Sequence, residues 1–139
     1  MVGIWPSRAF LFIDNHDTGS TLQHWPFPTR NLPEGYAYIL THPGTPVVFY
    51  DHFWDNHLHK NIEELMQLRK RAGLNCRSKI KISVAQDNLY SAVIDERVAM
   101  KMGPGDWSPN HDHTIQSSIP GKTWEIASSG HNYAVWEAK

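Results

Sequence analysis

Apolar positions along the chain fall into two kinds of pattern, and the change comes near its middle. Ala9-Phe10-Leu11-Phe12-Ile13 is a continuous apolar run inside a segment, residues 7–17, that reads as a strand. Such runs are expected of strands covered on both faces in a parallel sheet. A long polar stretch rich in Pro, Thr and Gly, Thr18 to Pro33, reads as a loop. Pro33 to Thr41 predicts a short helix, with the proline in the first turn, where its missing N–H is not needed. After a His42-Pro43-Gly44-Thr45 turn, Pro46-Val47-Val48-Phe49-Tyr50 is a second apolar strand. A helix follows over about Lys60 to Ala72. There Ile62, Leu65, Met66 and Arg69 recur at i, i+3, i+4 and i+7 and set an inward stripe. Glu63 and Glu64 lie early and Arg69, Lys70 and Arg71 late, in accord with the helix dipole, and Gly73 is placed to terminate it. Strand, helix, strand, helix predicts βα units and a parallel sheet.

Beyond about Asn75 the period becomes two. Lys79–Val84 alternates polar and apolar, and Leu89–Ile94 follows after a Gln86-Asp87-Asn88 turn. Arg97–Met102 comes next, and Thr123–Ala127 and Tyr133–Trp136 flank Ser128-Ser129-Gly130-His131-Asn132. Five short strands with tight turns predict an antiparallel sheet. The expected domains are 1–75 and 76–139. Two βα units cannot close a barrel or cover both faces of two strands. The first half is therefore expected to be the end of something larger and poorly supported by itself, and the second half to hold the stable sheet.

Composition narrows the function classes. With 40% hydrophobic and 19% charged residues the 139-residue chain is globular in character. A net charge of -1 gives no electrostatic footprint for nucleic acid or an anionic membrane. No apolar run approaches the roughly 18 residues that would span a bilayer, and MVGIWPSRAFLF lacks the features of a signal peptide. Cys76 is the single cysteine and can form no disulfide within the chain. Six tryptophans supply either a large core or flat surfaces on which sugar rings can stack.

The polar residues sit where such a fold builds sites. Asp14, Asn15, His16 and Asp17 end the first strand, and Asp51 and His52 end the second. In α/β folds ligands bind outside the carboxyl ends of parallel strands. The alternative is a solvated turn, since Asp and Asn favour turns on their own account.

The run Phe12-Ile13-Asp14-Asn15-His16-Asp17-Thr18-Gly19-Ser20-Thr21 resembles the last signature of the α-amylase family of glycoside hydrolases, in its plant branch. Trp25-Pro26-Phe27-Pro28, Gly35 to Pro46, Phe49-Tyr50-Asp51-His52 and Gly130 to Glu137 are similar to it too, so the resemblance is collinear over nearly the whole chain and weakest over Ser108 to Gly121. It implies an α/β part, the last two βα units of a (β/α)8 TIM barrel, followed by an all-β part, a five-stranded antiparallel C-terminal β-sheet domain. It implies retaining hydrolysis of α-1,4-glucosidic bonds in starch and related glucans, which needs a carboxylate nucleophile and a carboxylic acid. It makes Asp17 the further carboxylate that stabilises the transition state, His16 a contact to the same sugar, and Asp14 structural. The nucleophile, the general acid and the calcium ligands of the intact enzyme would lie upstream of these residues. Calcium is thus the implied cofactor, α-glucan the implied partner, and no metal site is expected within residues 1–139. An isolated chain should not hydrolyse starch.

The resemblance also touches two aromatics. Trp5 stands where plant members carry a starch-binding Trp-Trp pair, here Ile4-Trp5, and Trp107 lies in a loop where an aromatic can grip glucan. His57-Leu58-His59 and His111-Asp112-His113 have the spacing of paired metal ligands, but zinc needs three or four ligands, and exposed loop histidines are the better reading. Asp51 is not expected to be catalytic. Two classes stand side by side: the C-terminal part of an α-amylase, or a non-catalytic glucan-binding or interaction module derived from one.

Overall fold

The computed structural model describes residues 3–18 and 24–139. The order is β1 (Phe10–Leu11), α1 (Leu32–Thr41), β2 (Thr45–Pro46), α2 (Tyr50–Trp54), α3 (His59–Arg71), β3 (Ile80–Gln86), β4 (Leu89–Ile94), β5 (Val98–Met102), α4 (His113–Ser118), β6 (Trp124–Gly130) and β7 (Tyr133–Ala138).

The second half forms the expected sheet, five antiparallel strands in the order β3-β4-β5-β7-β6. Alternation sends its side chains to two cores. Ala92, Ile94, Val98, Met100, Tyr133 and Val135 pack with α1 and α3 on one face. Val93, Ala99, Ala134 and Trp136 face the other way and meet Ile115 and Ile119, carried by and just beyond α4. The hairpin from β4 to β5 turns through Asp95 and Glu96, both at positive φ (49° and 56°). That geometry matches the twist of the flanking strands; Asp95 is a usual residue at the first position, whereas Glu96 stands where Gly is usual. α4 is an addition to the expected elements. It is a short helix capped by Asp112, whose Oδ1 accepts from the N–H groups of Thr114 (2.9 Å) and Ile115 (3.1 Å).

Both long helices form within a residue of their expected bounds. α3 ends in a Schellman motif: Gly73 has φ 69°, its N–H meets Lys70 O (3.2 Å), and Leu74 N–H meets Arg69 O (3.0 Å). The stripe differs from expectation. Ile62, Leu65 and Leu68 are buried, whereas Met66 is exposed. Arg69 is no core residue either. Its guanidinium donates to the carbonyls of Leu40 (3.0 Å), His42 (2.8 Å) and Gly44 (2.8 Å), taking up groups that the end of α1 leaves free.

The two apolar runs depart most from the reading. β1 spans two residues, not residues 7–17, and pairs in parallel with the two residues of β2. The run beginning at Pro46 turns into α2 at Tyr50. Alternate residues on one side, Ala9 among them, face the helices, but Phe10 is 70% and Phe12 54% exposed. Among the described residues β1 and β2 have only each other as ladder partners. A strand expected to be covered on both faces is covered on one. The two-stranded sheet is not a barrel. Nor is the first half unsupported: α1 and α3 share one core with the five-stranded sheet.

Candidate functional site

The carboxyl ends of β1 and β2 open onto a shallow pocket of about 290 Å³, lined by Phe12, Asp14, Asn15 and His16 from one segment and Val47 to Tyr50 from the other. The site is built on a turn. Asn15 Oδ1 accepts from the N–H groups of Asp17 (2.9 Å) and Thr18 (3.2 Å), and Thr18 Oγ1 accepts from Asn15 N–H (3.1 Å). This is the Asx turn that Asn favours. It leaves His16 and Asp17 exposed, with His16 Nε2 3.3 Å from Asp17 Oδ1. The solvated-turn reading and the site reading thus describe the same geometry: the turn is what presents the two side chains.

Asp14 anchors that turn from beneath. It is buried, and its Oδ1 accepts from the Thr18 hydroxyl (2.8 Å) and from Phe27 N–H (3.1 Å). Its Oδ2 lies 3.7 Å from His52 Nε2. His52 Nδ1 is 2.9 Å from the Tyr36 hydroxyl, which accepts from Phe49 N–H (3.3 Å). With the Phe49 N–H donating to it, the tyrosine turns its own proton toward Nδ1, and the other ring nitrogen, protonated, faces Asp14. Burial pulls the His52 pKa down against the opposing pull of Asp14. Burial pushes the Tyr36 hydroxyl up to about 12. This Asp14–His52–Tyr36 chain joins the segment after β1 to α2 and α1. Asp14 has the structural place expected of it, but His52 and Tyr36 were not singled out in that role. The sequence signal was there in part: a histidine directly after Asp51 at a strand end, and a tyrosine on the apolar face of a helix.

The remaining candidates stand apart. Trp5 precedes β1 and Asp17 follows it, so they belong to opposite ends of that strand, and the Arg8 guanidinium lies 5.5 Å from the Trp5 ring centroid. Trp107 is half-buried and packs against the core on the sheet face away from α1 and α3, edge-on to Trp136 at 5.6 Å. Its indole N–H donates to Asp112 Oδ2 (2.9 Å), so that donor is already committed within the fold. Asp51 lies exposed in the first turn of α2. His59 donates from Nδ1 to Phe53 O (2.7 Å). Among the described residues no three His, Cys, Asp or Glu side chains converge as a metal shell would require. Gly19, Ser20 and Thr21 of the signature run lie outside the described residues.

Residues 71–137 match the family described as the alpha-amylase C-terminal beta-sheet domain, the stretch that holds all five antiparallel strands but the last residue. Probable alpha-amylase 2 of Arabidopsis thaliana is 49% identical over 138 residues, 98% of this chain and 31% of that relative. Alpha-amylase 3, chloroplastic, of the same plant is 49% identical over 137 residues, 99% of this chain and 14% of the relative. Alpha-amylase type B isozyme of Hordeum vulgare is 47% identical over 137 residues, 99% of this chain and 84% of the relative. The chain therefore spans less than a third of the length of either Arabidopsis relative. Sharing almost half its residues with plant α-amylases from end to end, and folding its second half as their C-terminal β-sheet domain, the chain belongs to the α-amylase family.

Proposed function

We propose that this chain is the C-terminal portion of an α-amylase that hydrolyses α-1,4-glucosidic bonds in starch-like glucans with retention. Residues 1–75 supply the last two βα units of the (β/α)8 barrel, and residues 76–139 the C-terminal domain. The observation that carries the reading is the His16–Asp17 pair, held exposed at a strand end in a chain almost half identical to plant α-amylases. The exposed Phe10 and Phe12 and the outer edges of β1 and β2, which pair with no other strand among the described residues, support further strands on either side.

In this reading Asp17 and His16 hold hydroxyls of the sugar at the cleavage point. As the glycosidic bond breaks, positive charge grows in the ring. A carboxylate held beside it, and hydrogen bonds that tighten as the ring flattens, favour the transition state over the bound substrate. Asp14, itself held by Thr18, Phe27 and His52, fixes the turn so that Asp17 need not be ordered on binding. Nucleophile, general acid and calcium ligands belong to the upstream part of the intact enzyme.

One observation favours a second reading, a glucan-binding module without catalysis. α1 and α3 seal the inner face of the sheet, so the chain has a core that does not depend on the rest of a barrel.

The test is a chimera in which residues 1–139 replace the corresponding end of a plant α-amylase. Asp17→Asn should lower kcat by a factor on the order of 10²–10³, with KM little changed. Asp51→Asn should leave kcat within a few-fold. Near-parental kcat in a folded Asp17→Asn chimera would sink the assignment. The isolated chain should show no turnover, and starch hydrolysis by it would sink the accessory role of Asp17.

A further inference from the structure

α2 carries two aromatic rings that the core does not use. Tyr50 and Trp54 are one helical turn apart and share a face. They are 72% and 61% exposed, with ring centroids 6.2 Å apart and planes tilted by 59°. Phe53, from the same helix, turns the other way and packs against the core. Large exposed aromatics grouped on one face mark an interaction surface rather than chance exposure.

The grouping is also held in place. Phe53 packs edge-on to His59 at 4.6 Å, and the bond from His59 Nδ1 to Phe53 O ties α2 to the first residue of α3. The Trp54 ring lies at 17° to the His59 ring, 6.0 Å away. Trp54 therefore has a neighbour that sets its orientation while most of its surface faces solvent. Tyr50 at the same time lines the pocket that holds Asn15 and His16. One surface thus runs from the His16–Asp17 turn across Tyr50 to Trp54, edged by the exposed polar side chains of Asp51, Asp55 and Asn56.

We propose that Tyr50 and Trp54 form a stacking platform for an α-glucan chain, extending by further glucosyl units the sugar site proposed around His16 and Asp17; this rests on the amylase reading. A pyranose ring has an apolar C–H face and a rim of hydroxyls. Aromatic rings desolvate the first, and carboxylates and amides at their edge accept from or donate to the second. The tilt between the rings suits a chain that bends at each linkage, as an α-1,4-glucan does, over a flat β-1,4-glucan. Phe10 and Phe12 are exposed for a different reason, because they lie on a strand face that further strands would cover. Tyr50 and Trp54 lie on α2, beyond the carboxyl end of β2.

Titration of the 139-residue chain with maltoheptaose, followed by NMR through indole and backbone N–H resonances, tests the platform, with cellohexaose as the β-linked control. Shifts are expected at Trp54 and around Tyr50, with weaker or no response to cellohexaose. Tyr50→Ala and Trp54→Ala should each weaken maltoheptaose binding about five- to tenfold. Tyr50→Phe and Trp54→Phe keep a stacking face and should bind within a few-fold of the parent. Both positions are exposed, and retained spectral dispersion confirms folding of each variant. If the parent binds and Asp17→Asn weakens binding while both alanine variants bind normally, the platform is overturned and the sugar site stands. If the parent does not bind maltoheptaose at millimolar concentration, the platform is overturned, and the amylase reading is still decided separately by the chimera's turnover. If sedimentation shows a dimer that either alanine variant dissolves, the surface is a contact between copies and the platform is again overturned.

Discussion

Replacing His42 with glutamine should flatten the acid side of the stability profile. His42 follows α1 directly and is buried where that helix meets the sheet. The Thr41 hydroxyl donates to Ala37 O (2.7 Å), so its oxygen is left to accept from His42 Nδ1–H (3.1 Å). Nε2 is then the free acceptor, and it meets the Tyr90 hydroxyl of β4 at 2.8 Å. Tyr38 stacks on the ring at 3.9 Å, and Arg69 donates to the His42 carbonyl. The Thr41 and Tyr90 bonds suit the neutral imidazole, and burial, opposed by the Tyr38 carbonyl and helped by the charge of Arg69, lowers its pKa from 6.5 to about 4. In the unfolded chain the same ring protonates near 6.5. Between those values the unfolded state binds a proton that the native state refuses, so stability is full above pH 6.5 and falls as the pH drops toward 4. The gap of about 2.5 units corresponds to about 3 kcal/mol, spread over the window at a little over 1 kcal/mol per pH unit. Urea unfolding followed by tryptophan fluorescence at pH 7.5, 6.5, 5.5 and 4.5 measures it in parent and His42→Gln. Glutamine keeps polar atoms but does not titrate. At pH 7.5 it should cost about 1 kcal/mol through the lost ring stack, and the deficit should shrink or reverse toward pH 4.5. His52 is lowered by burial as well, but it is common to both proteins and drops out of the difference. Parallel curves across the window would refute a neutral, buried His42.

Arg69→Met should lower stability by about 3 kcal/mol, read as a fall in the urea midpoint, because it strips charged donors from three carbonyls at once; lysine at the same position should recover only part, since one ammonium cannot span all three. Amide hydrogen exchange should show α1 as slow as β4 and β5, since they share one core; α1 exchanging freely beside a protected sheet would contradict that packing.

The candidate site was legible in the sequence as a place and as a pair of residues, but not as a mechanism of support. His16 and Asp17 could be named because the signature run is local, with its order and spacing written in consecutive residues. The Asp14–His52–Tyr36 chain could not, because its members come from three separate segments and meet only when the turn after β1 packs with α1 and α2. Trp107 shows the converse. The resemblance offered it as a sugar contact, and what the sequence did not show is its packing against Trp136 and the bond from its indole N–H to Asp112, a partner that lies five residues on but is oriented by the cap of α4.

The sequence by itself determined the elements whose signals are periodic or stereochemical. Short apolar runs divided by turns, alternating over Lys79–Val84, placed five strands, Pro33 placed the start of α1, the apolar stripe placed α3, and Gly73 ended α3, because side-chain direction and backbone stereochemistry are properties of a few consecutive residues. Tertiary structure decided the rest. Phe10 to Ile13 and Pro46 to Tyr50 read as buried strands, but a strand is a ladder, and with only each other as partners among the described residues they pair over two residues apiece before the second runs into α2. Met66 and Leu68 are both apolar and both on α3, and only the position of α1 and the sheet selects Leu68 for the core. Arg69 sits at a stripe position and turns out to serve the free carbonyls at the end of α1, because a buried backbone carbonyl without a donor costs more than a displaced apolar contact.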